Sequence, residues 1–244
     1  MILPGNNNNH VGIEIELLSP FDSYGIERKI NDLGLQKIVE VGADGSIETD
    51  VDCECCQGEG YYYDDDGYEN DCSECSELQG HELKVITTQK NLKATMIRVG
   101  QLLKAIKAQV NASCGLHVHL DMRNRTPQLA AARLLNSQSL LLKSVPHDRR
   151  ENTYCMPVNK IYKSPDMIMN IPKYHAIHTE ECYKYLKTIE VRLHEGTVDW
   201  KEIYNWCKLL ISIVDNDYAN KNVRSTKILP TRVRKYIEKR IAAV

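Results

Sequence analysis

Three separated runs along the chain alternate apolar and polar residues with a period of two. They are Gly12-Ile13-Glu14-Ile15-Glu16-Leu17, Gly115-Leu116-His117-Val118-His119-Leu120 and Ile189-Glu190-Val191-Arg192-Leu193-His194. Residues two apart on a strand share a face, so each run predicts a strand with one apolar face and one face of Glu/Glu, His/His or Glu/Arg/His. A solvated strand face carries Lys, Thr, Ser and Gln in mixture. Three faces built from metal-ligating and anion-binding types predict one shared site on a sheet.

The rest of the pattern supplies the frame. A strand over residues 11–18 leads into a helix over 23–33 that stops at Gly34. A hairpin follows, with strands at 37–41 and 46–51 around the turn Gly42-Ala43-Asp44-Gly45. Strand alternation resumes at 81–87. Leu92, Met96, Val99, Leu103, Ile106 and Val110 recur at spacings of four and three, which predicts a helix over 90–110. A second long helix spans 126–143, residues 146–172 read as a long irregular region, and a strand pair at 174–178 and 187–195 precedes a helix at 200–218. A short basic helix at 231–242 ends the chain. Strands and helices are intermixed without regular βαβ repetition, so the expected class is α+β, a mostly antiparallel sheet with helices on one face and the polar face open.

Length and charge narrow this picture. The 244 residues suffice for one large domain with a small insertion, and a formal net charge of −2 indicates neither disorder nor bulk affinity for nucleic acid. Charge is uneven: residues 44–82 are strongly acidic and 221–240 mostly Lys and Arg, which reads first as a solvated amphipathic helix. No apolar run approaches a membrane span and the N-terminus lacks a signal-peptide core. Nine cysteines, an odd number with four in metal-type spacing, favour a reducing, cytoplasmic setting.

Residues 53–75 differ in composition from their surroundings, being rich in Cys, Asp, Tyr and Gly, and read as an insertion. Cys53 and Cys56 form one C-x-x-C pair and Cys72 and Cys75 another, fifteen residues apart. That spacing lets two turns offer four thiolates to a tetrahedral zinc, whose plain role is a structural staple of zinc-ribbon type. With Gly58 and Gly60 the first pair makes a string similar to one zinc-binding half of the cysteine-rich region of J-domain chaperones. Cys55 competes as a ligand, and Asp64-Asp65-Asp66 argues against nucleic-acid binding by this segment. The expected division is therefore a catalytic domain over 1–52 and 76–219, a zinc-binding insertion over 53–75 and a basic C-terminal helix over 220–244.

Glu14, Glu16, Glu82 and Glu190 offer hard oxygen ligands of the kind Mg²⁺ prefers. His117 and His119 share a face as metal ligands or nucleotide contacts, and Arg192 with Arg149 or Arg150 suits phosphate oxygens. Carboxylates, imidazoles and arginines together fit phosphoryl-transfer chemistry. His10, His81, His147 and His175 read as ordinary polar groups, Trp200 and Trp206 as helix-interface residues, and Cys155, Cys182 and Cys207 as small buried apolar residues.

The runs Gly12–Glu16, Asp44–Ser46, Cys114–His119, Arg150 with Tyr154-Cys155, Lys173-Tyr174 and Glu190–Thr197 resemble, in order and spacing, the amidoligase family of the carboxylate–amine ligase superfamily, over about residues 11–215. The resemblance implies a glutamine-synthetase-like fold, a curved sheet forming a funnel with helices outside. It implies two or three Mg²⁺ ions held by Glu14, Glu16, Glu82, His117 and Glu190, with His119 near the ATP. Arg150 and Arg192 would bind the transferred phosphate. The activity implied is ATP-dependent joining of a carboxylate to an amine through an acyl phosphate, with Glu195 as a candidate base. Two departures stand out: no Ser-Pro pair follows Glu82, and His178 stands where the family carries Asn. Two other readings stay open. A metal-dependent hydrolase would use the histidine pair but leave Arg192 and Glu14/Glu16 idle, and a zinc-stapled adaptor would explain only the insertion and the tail. The carboxylate and amine partners, small molecule or peptide, and any homo-oligomer are left undetermined.

Overall fold

In the first strand, β1 (His10–Ser19), the alternation puts Val11, Ile13, Ile15 and Leu17 on one side, all fully buried, and Glu14 and Glu16 on the other. In chain order there follow α1 (Ser23–Asp32), β2 (Val39–Ala43), the short strands β3 (Tyr61–Tyr63) and β4 (Glu69–Asp71), β5 (Gln79–Thr88) and α2 (Leu92–Ala105). Then come β6 (Gly115–Asp121), α3 (Pro127–Leu142), the single turn α4 (His147–Arg150), β7 (Ile177–His178), β8 (Thr188–Glu195), α5 (Trp200–Asp215) and α6 (Thr231–Ile241). This computed structural model describes residues 9–49, 61–63, 67–71, 78–164, 167–216 and 225–244. Cys53, Cys55, Cys56, Cys72 and Cys75 lie outside the described residues.

The main strands form one open six-stranded sheet of order β2-β5-β1-β6-β8-β7, antiparallel at every pairing, and β3 and β4 form a separate antiparallel ribbon. Apolar residues of the sheet, among them Ile13, Leu83, Val118 and Val191, join buried residues of α1, α2, α3 and α5 in one core, with Trp206 of α5 among its largest fully buried side chains. Helix starts follow local chemistry: Asp22 accepts from the Gly25 N–H at 2.7 Å, Asp199 accepts from the Lys201 N–H at 2.8 Å, and Pro127 opens α3. With helices covering one face, the polar face of the sheet is left for the site.

Several elements differ from the sequence reading. The predicted hairpin is not formed within its own turn, because β2 pairs with β5 instead, Val39 opposite Val85 and Val41 opposite Leu83. Residues 46–49 are not strand, since the Asp44 carboxylate accepts from the Ser46 N–H at 2.9 Å and turns the chain. The α2 helix stops at Ala105. Lys107 takes a left-handed conformation (φ 51°) and Gln109 exchanges two 2.9 Å backbone bonds with Leu18, which draws the chain onto the sheet. The expected strand at 174–178 shortens to β7 because Tyr174 is left-handed (φ 72°). A π-helical turn at Cys182–Leu186, closed by left-handed Lys187 (φ 58°), separates β7 from β8.

One irregularity in β8 matters for the site. Val118 pairs with Val191 and Leu116 with His194, so β8 carries one extra residue there. The bulge breaks the alternation. His194, expected beside Glu190 and Arg192, turns instead to the helices, where its ring meets Trp206 edge-on at 4.8 Å.

Helix α2 and the start of α5 approach closely at Gly100, where an added Cβ would stand 2.5 Å from Trp200 Cδ1 and 3.0 Å from its Cβ. A helical Gly→Ala change gains up to about 1 kcal/mol, but displacing a packed element costs about 1–3 kcal/mol. Gly100→Ala is therefore expected to lower the thermal midpoint, and a rise would show that α5 yields freely.

Candidate active site

The polar stripe crosses the sheet in register. Glu16 stands opposite Glu82, Glu14 opposite Lys84 and His117, His119 opposite Glu190, and Glu190 opposite His178. These residues come from separate parts of the chain, yet their side chains meet. His117 Nδ1 lies 3.5 Å from Glu14 and 3.6 Å from Glu190, and its Nε2 3.5 Å from Glu16. His119 Nε2 lies 3.3 Å from Glu14 and 3.8 Å from Glu190, while its Nδ1 meets the Thr188 hydroxyl at 3.2 Å.

Both His117 Nδ1 and His119 Nε2 are buried without a hydrogen-bond partner. Buried polar atoms are normally satisfied, so two unpartnered imidazole nitrogens 3.3–3.8 Å from carboxylate oxygens fit a space shaped for a cation. Among the described residues, Glu14/Glu82/His117, Glu14/His119/Glu190 and Glu16/Asp44/Glu82 each bring ligand atoms within 4.8 Å of one another. Glu16 facing Glu82 directly is a like-charge pair that a bound cation would relieve. The donor set, mostly carboxylate oxygen with imidazole, fits divalent metal.

Local structure holds these groups. The Gly115 N–H donates to Glu16 Oε2 at 2.6 Å, and a Cβ at Gly115 would come within 3.0 Å of His117, 3.1 Å of Arg149 and 3.2 Å of Glu16, so any larger residue would press these side chains aside by a few tenths of an ångström. Glu190 Oε1 accepts from Arg192 at 2.6 Å and its Oε2 lies 2.8 Å from His178 Nδ1. Burial opposes ionisation of Glu190, but His119, His178, His117 and Arg192 outweigh it and hold the carboxyl well below the usual range. Glu14 is held low in the same way, His117 and His119 overcoming its burial. Glu82 goes the other way, raised by burial and by the charge of Glu14, with Lys84 at 2.9 Å offsetting only part. Burial, with Glu190 beside it, pushes the Cys182 thiol far above its ordinary value.

A cavity of about 530 Å³ opens over this face. Glu14, Glu16, Glu82, His117, Arg149 and Arg192 line it, with Asp44, Ser46, Glu48, Asn152, Tyr154, Lys173 and Tyr174 around them. The two neighbouring arginines part company. Arg149 is buried and donates to the Arg192 carbonyl at 3.0 Å, whereas Arg150 turns away and donates to the Val145 carbonyl at 2.9 Å. Glu195 also stands apart, its oxygens 2.6 and 2.8 Å from Arg240 of α6. Asp44, which the sequence read as a turn residue, joins the carboxylates, and His178 with Cys182 stands against Glu190. In the sequence Asp44 was legible as a turn residue within a family-like run, His178 as a departure from the family and Cys182 as a small buried cysteine.

The fold sets carboxylates, imidazoles and arginines together around an open cavity. A family model described as "Putative amidoligase enzyme" matches residues 7–173, and the chain belongs to this family. The family places it among enzymes that form amide bonds. Glu190, Arg192 and His178 lie beyond the matched stretch and reach the site through strand pairing alone. No curated protein matches the chain. No helix among the described residues is long and apolar enough to cross a membrane.

Beside the site, α6 is latched to β8. Glu202 of α5 accepts from the Tyr236 hydroxyl at 2.6 Å and from Arg240, stands 3.3 Å from His194, and Arg240 also donates to the Ser144 carbonyl at 2.7 Å. Burial opposes ionisation of Glu202, but His194, Tyr236 and Arg240 pull its carboxyl down to about 2. A carboxylate held below its unfolded value stabilises the fold above that value and loses the contribution as pH falls towards the folded one. Acid titration from about pH 4.5 to about 2 is expected to remove on the order of 2–3 kcal/mol from this latch. In Glu202→Gln that part of the acid dependence should be missing, and an unchanged acid profile would mean that the latch contributes nothing.

Proposed function

We propose that the chain is an ATP-dependent carboxylate–amine ligase that makes an amide through an acyl phosphate, on a sheet curved as in the glutamine-synthetase fold. The observation that carries this reading is the crowding of Glu14, Glu16, Glu82 and Glu190 against two partnerless imidazole nitrogens, next to a cavity that Arg149 and Arg192 line. Glu14, Glu16, Glu82, His117 and Glu190 would hold magnesium. Bound there, the ions would screen the repulsion between a substrate carboxylate and the anionic γ-phosphate.

A substrate carboxylate oxygen attacks the γ-phosphorus of ATP and ADP leaves. The amine nitrogen then attacks the acyl carbon and phosphate leaves, while the nitrogen gives up its proton. Arg149 and Arg192 are suited to grip the transferred phosphate, because guanidinium groups meet its oxygens two at a time. His119 would lie near the nucleotide. Proton removal falls to a carboxylate lining the cavity, such as Asp44 or Glu48, rather than to Glu195, which is bonded to Arg240. The polar rim of Asn152, Lys173, Tyr154 and Tyr174 suits an amino-acid-like or peptide carboxylate and its amine partner. The same reading keeps a structural zinc on Cys53, Cys56, Cys72 and Cys75, the division into residues 1–52 with 76–219, 53–75 and 220–244, and a cytoplasmic setting.

The test is ADP release by the purified protein with Mg²⁺ and ATP, against pools of carboxylates and amines. Turnover is expected to require one member of each pool and to fall by at least about 100-fold in Glu14→Gln and in Arg192→Ala. Absence of ATP binding in a folded protein, or product formation without nucleotide, would overturn the ligase reading, the latter in favour of a hydrolase.

A further inference from the structure

Next to the cavity, but not lining it, three buried side chains converge on a point that the proposed chemistry does not use. His178 ends the edge strand β7, Cys182 begins the π-helical turn, and Glu190 belongs to β8. Each is at most 4% exposed. His178 Nδ1 lies 2.8 Å from Glu190 Oε2, Cys182 Sγ lies 3.2 Å from Nδ1, and Sγ lies 3.4 Å from Oε2.

Each of the three atoms can offer a lone pair to the point between them. On its far side, His178 Nε2 stands 2.5 Å from Glu181 Oε2. A neutral imidazole donates from one nitrogen only. In the tautomer whose Nε2 proton goes to Glu181, Nδ1 turns a lone pair towards Glu190 Oε2. The single thiol hydrogen of Cys182 serves one of the two acceptors, not both. A cation inside the triangle would accept from all three atoms at once.

We infer that His178 Nδ1, Cys182 Sγ and Glu190 Oε2 form a separate metal centre for a borderline-soft divalent ion of the zinc type. One sulfur, one nitrogen and one oxygen make a donor set of that class, unlike the oxygen-rich carboxylate groups on the other side of Glu190. The Glu181–His178 contact is the carboxylate–imidazole arrangement that orients a ligating histidine. Bond lengths of zinc to such donors place tetrahedral ligand atoms about 3.3–3.7 Å apart, so the two edges to sulfur nearly fit and the His178–Glu190 edge opens by about half an ångström. Metal uptake displaces the thiol proton, which leaves to solvent as the sulfur–metal bond forms. The π-helical turn has a physical role here: its wide ring, closed by the Lys187 N–H bonding to the Cys182 carbonyl, sets Cys182 back against β8. The ion would fix Oε2 and leave Oε1 with Arg192.

The test is ¹¹³Cd NMR on the full-length protein loaded with ¹¹³Cd²⁺. A resonance of mixed sulfur, nitrogen and oxygen ligation is expected, upfield of any four-thiolate signal. It should persist in excess Mg²⁺ and vanish in Cys182→Ala and His178→Gln while a four-thiolate signal remains. Glu181 is half exposed, and Glu181→Gln is expected to leave the fold intact and weaken cadmium binding about 10–100-fold. A loaded wild-type protein with no Cys182-dependent resonance, or a signal indifferent to Glu181, would overturn the inference and leave His178 as a hydrogen-bonded bridge between two glutamates. Because the readout is metal ligation and not turnover, it stands or falls apart from the ligase reading.

Discussion

Mutual repulsion among carboxylates crowded on one sheet face is the constraint to which the rest of the molecule answers. Two unit charges separated by just under 5 Å repel by about 3–4 kcal/mol at the effective dielectric of a protein. Glu14, Glu16, Glu82 and Glu190 make several such pairs, and a domain's whole stability is only about 5–15 kcal/mol. Positive and donor groups are therefore placed at every carboxylate: Lys84 on Glu82, the Gly115 N–H on Glu16, the imidazoles on Glu14, and Arg192 with His178 on Glu190. The opposite face supplies the compensation, a continuous aliphatic layer closed by α1, α2, α3 and α5.

This division of labour explains why so much of the site was readable before any coordinates. A period of two separates faces without knowledge of which strands are neighbours, so Glu14, Glu16, His117, His119, Glu190 and Arg192 declared themselves as one polar face. What the period cannot carry is anything decided by a single irregular residue. The extra residue in β8 sends His194 to Trp206 while leaving Arg192 in the cavity. The single turn of α4 decides between Arg149 and Arg150, two identical side chains whose roles differ only by helical rotation. The pairing of β2 with β5 was likewise hidden, because a local turn and a distant partner leave the same alternation in Val39 and Val41. Cys182 looked like packing because burial is where most cysteines are found, and its neighbours come from a π-helical turn that no simple periodicity announces.

Glu190 emerges as the residue on which most of these decisions converge. Its two oxygens look in different directions, one to Arg192 and the imidazoles of β6, the other to His178 and Cys182. Nothing at this position can change one neighbourhood without disturbing the other. The same strand runs on to Glu195 and the α6 latch, so the C-terminal helix and the charged face share one length of backbone.

The adjacency of β2 and β5 carries a different kind of consequence. Ala43 faces His81 across the ladder, so all of the chain between them behaves topologically as the loop of one hairpin. Loop closure grows only logarithmically with length, each doubling adding about 0.6 kcal/mol. The scaffold therefore has a port at which material can be lengthened, shortened or exchanged with little effect on the sheet. Because Asp44, Ser46 and Glu48 stand at the root of that port and line the cavity, whatever is grafted there begins at the cavity's rim. An exchange there would thus redraw the edge of the cavity while leaving the charged face untouched.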